Sequence, residues 1–334
     1  MATTMNSTHL HANSGVLNFH ARLLEWERSY DTHESIIWAQ KHADLPIFAI
    51  AVYLIVVFYV PDRITKPWRL RNVWSLWNLA LSIFSMLGVS RTVPHLIEQF
   101  LEHGFNHTIC SPPESWYLKG VPGAWVSMFI FSKVPELLDT VFLVLQKKPV
   151  IFLHWFHHVT VLMFCWHAYI TPTATGLYFA SINFAVHSIM YFYYFLSIAG
   201  GPLRAVARPI APLITMVQLL QMVAGASITL LAALRHEEDP TSCEVDPVNY
   251  RCGLAMYLSY LVLFAMLFYD HYLRPGGKHT KPSATNKTSN DDKVKVCGVD
   301  LKGQDAGGFF HGQSGGGEES SPAGSPMLKK KKAQ

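Results

Sequence analysis

The chain has 334 residues, 27 Lys+Arg against 23 Asp+Glu for a formal charge of +4, and a composition that is 50% hydrophobic, 13% aromatic and only 15% charged. That charged share lies far below the roughly 25% of soluble domains, and apolar runs such as 43–60 approach membrane-span length, so a soluble single domain is excluded. Nucleic acid is excluded as a partner, because the lysines gather in the C-terminal tail and in short connections and form no basic aromatic face.

Residues 1–43 are polar and charge-balanced, with no short apolar core ahead of a cleavage site, so the first apolar run is read as the signal anchor. Seven spans are predicted, at 44–61, 72–93, 121–146, 150–171, 173–197, 209–234 and 251–273. The expectation is an all-α integral membrane protein: a luminal segment 1–43, a seven-helix domain 44–273 and a disordered cytosolic tail 274–334 rich in Gly, Ser, Pro and Lys.

Charge in the connections alternates. Arg63, Lys66, Arg69 and Arg71, then Lys147 and Lys148, then Arg204 and Arg208, then Arg274 and Lys278 follow the odd-numbered spans, which places those ends in the cytosol. Glu98, Glu102 and Glu114, and later Glu237, Glu238, Asp239, Glu244 and Asp246, mark the luminal connections. The sequons at Asn6 and Asn106 fall on the luminal side, and the one at Asn286 on the cytosolic side.

Five cysteines with no CxxC pair exclude a disulfide scaffold or a zinc ribbon. Cys110, Cys243 and Cys252 all map to the luminal connections, where a bridge persists. Cys110–Cys243 is the preferred pairing, with Cys110–Cys252 and Cys243–Cys252 left open.

The third span carries Lys133, Glu136 and Asp139, whose exposure to lipid would cost roughly 8–10 kcal/mol together. They must face the bundle interior. Steps of three, continuing to Thr140, line one side of a helix on which Lys133 reaches Glu136, with a kink available at Pro135. A structural ion pair is the plain alternative for Glu136 and Asp139.

The fourth span opens with His154, His157 and His158 on one helical face, a density that suits metal ligation, acid–base work or nucleophilic catalysis better than a satisfied core histidine. The fifth span carries Asn183 and His187 four apart, then Tyr191, Tyr193 and Tyr194; the sixth carries Thr215, Gln218 and Gln221. Each stripe alone could be interhelical hydrogen bonding. Four neighbouring helices with such stripes read as walls of one cavity in the cytosolic half, open to that side, with an apolar bundle beyond it that suits an amphiphile.

In order along the chain stand KVPELLDT at 133–140, HWFHH at 154–158, Asn183 with HSIMYFYY at 187–194, and TMVQLLQ at 215–221. With these motifs the chain resembles the fatty-acid elongase condensing enzymes of the endoplasmic reticulum, from about residue 20 through 273. The resemblance implies seven helices, six of them surrounding a closed acyl tunnel, and condensation of malonyl-CoA with a long-chain acyl-CoA to a 3-oxoacyl-CoA, CO₂ and CoA. No cofactor beyond these substrates and no metal is expected. The lipid bilayer is a partner, as other enzymes of the elongation cycle could be. Trp155 resembles the branch acting on saturated and monounsaturated chains, and Lys331-Lys332-Ala333-Gln334 resembles a di-lysine retrieval signal.

Within that reading His157 is the expected nucleophile, forming an acyl-imidazole. His154 orients or deprotonates it; Asn183, His187 and His158 are expected to stabilise the malonyl oxyanion. Lys133, Glu136, Asp139, Thr140, Tyr191, Tyr193 and Tyr194 shape the site, Gln218 and Gln221 bind the pantetheine arm, and rim cations steer CoA. A diiron desaturase or hydroxylase is the enzymatic rival, weakened because His103 and His107 sit in a luminal loop and a second HxxHH is absent. A seven-span transporter or receptor is the non-enzymatic one.

Overall fold

The computed structural model describes residues 21–273 and two short stretches, 295–296 and 299–300. The sequon at Asn6, most of the predicted tail with Lys278 and Asn286, the terminal Lys331 and Lys332, and the side chain of Arg208 lie outside the described residues.

From 21 to 273 the described chain is helical. In order come α1 (21–29), α2 (Thr32–Lys41), α3 (Asp44–Phe58), α4 (Val60–Arg63), α5 (Arg71–His103), α6 (Phe105–Cys110) and α7 (Pro113–Trp116). They are followed by α8 (Gly120–Glu136), α9 (Leu138–Leu145), α10 (Phe152–Ile170), α11 (Gly176–Ala199), α12 (Gly201–Ala207), α13 (Ala211–Glu238) and α14 (Pro247–Phe268). In the tail, Lys295–Val296 pairs antiparallel with Val299–Asp300, a ladder too short to add a layer.

Helix ends follow local chemistry. The Asp31 side chain accepts from His33 N at 2.9 Å to start α2, and Asp246 accepts from Asn249 N at 2.7 Å to start α14, with Pro247 in its first turn. Gly200 and Gly201, with φ of 81° and 55°, turn the chain from α11 into α12 in a conformation that side chains resist.

Among the described residues four helices are long and apolar enough to cross a membrane: α5, α11, α13 and α14 extended to Leu273; α2 and α3, bent by 61°, make a fifth if they are one span. That is short of the seven predicted windows, for two physical reasons. Window 121–146 is split at Leu137, just past Pro135, whose missing N–H weakens the ladder, and Leu137 N and Thr140 N instead reach Val134 O and Leu137 O, three residues back. The stripe from Lys133 to Asp139 therefore does not continue on one unbroken helix. Window 150–171 is one helix, α10, but its four imidazoles dilute its hydropathy.

α11 lies along α5, α13 pairs with α14, and α10 packs on α8 and α14. Gly88 makes the first contact possible, because a Cβ there would stand 2.6 Å from the Phe184 ring. At one end of the bundle Cys110 and Cys243 are joined by a disulfide, and Glu244 N donates to Cys110 O at 2.8 Å; Cys252 is a free, exposed thiol. Outward faces of α3, α5, α13 and α14 carry exposed Phe48, Leu101, Leu220 and Val262, as a lipid-facing surface requires.

Candidate active site

Six elements wall one cavity: α5, α8, α9, α10, α11 and α13, with Phe264 and Leu267 of α14 completing it. Counting its open mouth, it holds about 1160 Å³ of empty space. His154, His157, His158, Asn183, His187, Glu136, Asp139, Tyr191, Tyr194, Gln218 and Gln221 all line it. Lys133 and Thr140 sit one layer behind, bonded to wall residues, and Tyr193 is buried in the packing around α11 away from the wall.

The three imidazoles of α10 are brought together as their spacing requires. Ring centroids of His154 and His158 are 4.5 Å apart, and those of His157 and His158 are 5.5 Å apart. They differ in their partners. Thr140 Oγ1 lies 2.7 Å from His154 Nε2 and 2.9 Å from the Tyr53 hydroxyl, so His154 is held by a hydroxyl chain reaching α3. Among the described residues no hydrogen bond is made by a ring nitrogen of His157, which rests beside the Tyr260 ring at 5.0 Å and is the least buried of the three.

Lys133 Nζ donates to Glu136 Oε1 at 2.7 Å and Oε2 at 3.0 Å, and to Asn183 Oδ1 at 3.3 Å. It also lies 4.2 Å over the Phe129 ring. Both ions are buried, so the pair is held by hydrogen bonds that offset desolvation. An ammonium has only donors, so it must face the amide oxygen of Asn183, which leaves the Asn183 N–H₂ for the cavity.

Asp139 does not join that pair. Its Oδ1 accepts from Trp77 Nε1 at 2.7 Å and its Oδ2 from the Tyr191 hydroxyl at 2.8 Å, while Tyr191 stands edge-on to the His187 ring at 5.3 Å. Gln218 Nε2 donates to Met190 Sδ at 3.2 Å, and its Oε1 is buried with no hydrogen-bond partner among the described residues. An unpaired buried acceptor on a cavity wall is costly unless a ligand donor meets it.

At the mouth, half-buried Lys148 stands 4.6 Å over the Trp74 ring. Burial first, and then the Arg204 charge, lower its pKa below the ordinary lysine value. Neither cation makes an ion pair among the described residues, so the mouth favours an anionic visitor. Among the described residues no group of three or more His, Cys, Asp or Glu is arranged to hold a metal ion.

Tyr53, Trp77 and Trp74 take part in the site without having been singled out in the sequence. The hydroxyl of Tyr53 in the otherwise apolar α3 was the available signal; the two indoles, common at membrane interfaces, gave none.

A sequence profile of the ELO family, described as the GNS1/SUR4 family, matches residues 38–280. The chain is 46% identical over 288 residues to a "Very long chain fatty acid elongase 4" of Trypanosoma cruzi (strain CL Brener), covering 84% of this chain and 99% of that protein. It is 42% identical over 280 residues to "Fatty acid elongase 3" of the same organism, covering 76% and 93%. It is 33% identical over 320 residues to "Very long chain fatty acid elongase 6" of Drosophila melanogaster, covering 93% and 96%.

Proposed function

The chain belongs to the ELO family, and we propose that it is the condensing enzyme of fatty-acid elongation, joining malonyl-CoA to a long-chain acyl-CoA to give a 3-oxoacyl-CoA two carbons longer, CO₂ and CoA. The observation that carries this reading is the convergence of His154, His157, His158 and His187 on one cavity whose mouth is cationic and whose far wall is apolar. Such a cavity takes a charged carrier at one end and a hydrocarbon at the other.

His157 attacks the acyl thioester carbon through a ring nitrogen free of other bonds. The C–S bond breaks, the CoA thiolate takes the proton that the imidazole gives up, and an acyl-imidazole remains. Malonyl-CoA then loses CO₂; the electron pair of the broken C–C bond forms an enolate whose carbon attacks the acyl group, the acyl–nitrogen bond breaks, and the departing imidazole takes from water the one proton that the overall reaction consumes. The enolate oxygen needs preorganised donors. The Asn183 amide, its oxygen already committed to Lys133, supplies one, and the ring nitrogens of His187 and His158 supply others. His154, fixed by Thr140, orients the cluster, and the unpaired Gln218 Oε1 receives an amide N–H of pantetheine, with Gln221 beside it.

The protein sits in the endoplasmic-reticulum membrane with its N-terminus luminal and its C-terminus cytosolic, and other enzymes of the elongation cycle work beside it. Seven spans result if α2–α3, α8–α9 and α10 cross along with the four long helices. The 19 residues of α10 reach about 28 Å. Six of them enclose the acyl tunnel, and Trp155 favours saturated and monounsaturated chains.

Incubation of the purified enzyme with acyl-CoA alone, followed by peptide mass spectrometry, should show an acyl adduct on the peptide containing His157. Full malonyl-CoA-dependent turnover by His157→Ala would refute the nucleophile. Absence of malonyl-CoA-dependent CO₂ release from the wild type would refute the reaction.

A further inference from the structure

His157 has no polar group to hold its ring. Thr140 fixes His154, whereas among the described residues neither ring nitrogen of His157 makes a hydrogen bond. The torsion that turns an imidazole about its Cβ–Cγ bond is broad and roughly two-fold, so a ring without partners is free to exchange the positions of its two nitrogens. Attack on a thioester needs the reacting atoms about 3–3.5 Å apart in one alignment. Packing must supply the orientation that hydrogen bonds do not.

That packing comes from α14. Tyr260 is only 2% exposed, and its ring centroid lies 5.0 Å from that of His157 with the planes at 48°. The His158 ring stands nearly perpendicular to His157 at 5.5 Å, and Tyr260 also meets the Phe156 ring edge-on at 6.2 Å. Phe264 and Leu267, four and seven residues further along the same face of α14, line the cavity, but Tyr260 does not. The phenol therefore meets the imidazole without entering the space that a substrate fills.

The phenol is itself anchored to α10. Thr160, about one turn past His157, donates through Oγ1 to Phe156 O at 2.7 Å, so its only hydrogen is spent. The Tyr260 hydroxyl accordingly donates to Thr160 Oγ1 at 2.5 Å, with His157 O a longer second acceptor at 3.3 Å. Both hydroxyls are satisfied away from water, as buried polar groups require. Tyr260 thus brackets a single turn of α10, its hydroxyl bonded to Thr160 and its ring against His157.

We infer that Tyr260 is the positioning residue of the nucleophile: anchored through Thr160, its ring holds the His157 imidazole in the orientation from which a nitrogen reaches the acyl thioester. The inference rests on the condensing reading above. Because Tyr260 stands outside the cavity wall, it acts on the rate of acylation and not on the binding of acyl-CoA. The ring confines the imidazole and the hydroxyl fixes the ring, so losing the hydroxyl costs less than losing both.

The test follows single-turnover acylation by acyl-CoA without malonyl-CoA, read as the rate and amplitude of the adduct on the His157 peptide, for the wild type, Tyr260→Phe, Tyr260→Leu, Thr160→Val and the Tyr260→Phe/Thr160→Val double variant. Tyr260→Leu should slow acylation about 100-fold, the loss expected when a reacting group is displaced by about 1 Å. Tyr260→Phe keeps the ring and loses its anchor, and should slow acylation about 10-fold. In both, the acyl-CoA concentration at half-maximal rate should hold and the adduct should still reach the wild-type amplitude. A role in packing alone would lower the amplitude and leave the rate of the folded fraction unchanged, and that result overturns the inference. Thr160→Val should repeat the Tyr260→Phe loss, and the double variant should lose no more than either single one, since both remove the same bond; losses that multiply overturn the inference as well. A wild type that forms no adduct removes the nucleophile and its positioning together, whereas a wild-type adduct with unchanged variants overturns the positioning alone.

Discussion

Thr140 Oγ1 stands 2.7 Å from His154 Nε2, and the same oxygen is 2.9 Å from the Tyr53 hydroxyl. A single threonine thus couples the first imidazole of α10 to α3, although it does not itself touch the cavity. One hydroxyl hydrogen cannot serve both partners, so either Tyr53 or His154 donates to Thr140, and the ring tautomer of His154 follows from that choice.

Thr140→Val should therefore lower kcat by about 10-fold or more while KM for acyl-CoA changes little. The Thr140→Ser variant should recover most of the rate. The shape is conserved in the first case and the hydroxyl in the second, so a purely structural role would show comparable losses in both. A bare buried polar group costs about 1–3 kcal/mol, and a thermal-shift measurement in detergent separates that stability loss from the kinetic one.

The Lys133–Glu136 pair gives a prediction about stability. Removing one partner leaves an uncompensated buried charge, at a cost of about 3–5 kcal/mol, whereas replacing both by apolar groups costs far less. Lys133→Met and Glu136→Leu should each lower the unfolding midpoint more than the double variant does. Lys133→Met and the double variant should lose condensation, because without the lysine nothing holds the Asn183 amide oxygen away from the cavity, and Glu136→Leu should lose it because the Lys133 ammonium is no longer anchored beside Asn183. A double variant as unstable as the singles would show that the pair does not act as a unit.

Much of this site was legible in the sequence because ionisable and polar groups inside apolar windows have few permissible positions. His154, His157, His158, Asn183, His187, Gln218 and Gln221 line one cavity because burial in a bundle is cheaper than lipid exposure. The partners of Asp139 were not legible: steps of three put it in line with Lys133 and Glu136, but the helix breaks at Leu137 and the carboxylate turns to Trp77 and Tyr191. Periodicity did carry a signal for Tyr193 that grouping the three phenols as one set overrode: Tyr191 and Tyr194, three apart, share a face of the helix, and Tyr193 falls off it into the packing. The span count was blurred by the same residues that make the site, because Pro135 interrupts one window and the imidazoles dilute the next.

The Cys110–Cys243 bond closes a loop with a sequence separation of 133 residues and ties α6 to the connection between α13 and α14. Cross-links of this kind contribute typically about 2–4 kcal/mol through the unfolded state. Cys110→Ser should lower the unfolding midpoint, and a reductant should lower that of the wild type but leave the variant unchanged. Cys252→Ser, at an exposed free thiol, should behave as wild type in both conditions.

Lys148 gives the pH prediction. Its ammonium lies over Trp74 near Arg204, and burial with that like charge lowers its pKa, so it loses its proton at a lower pH than an ordinary lysine as pH rises. Its attraction for the CoA phosphates is complete on the acid side and fades on the alkaline side. KM for acyl-CoA should accordingly climb toward alkaline pH while kcat holds, and Lys148→Arg, whose guanidinium stays charged throughout, should flatten that climb. Lys148→Gln should raise KM several-fold on the acid side, converge with the wild type on the alkaline side, and reduce the dependence of KM on ionic strength, since screening acts on the charge that is gone. Steady-state kinetics across pH and salt check both, and an alkaline limb that survives unchanged in Lys148→Arg would assign it to another group.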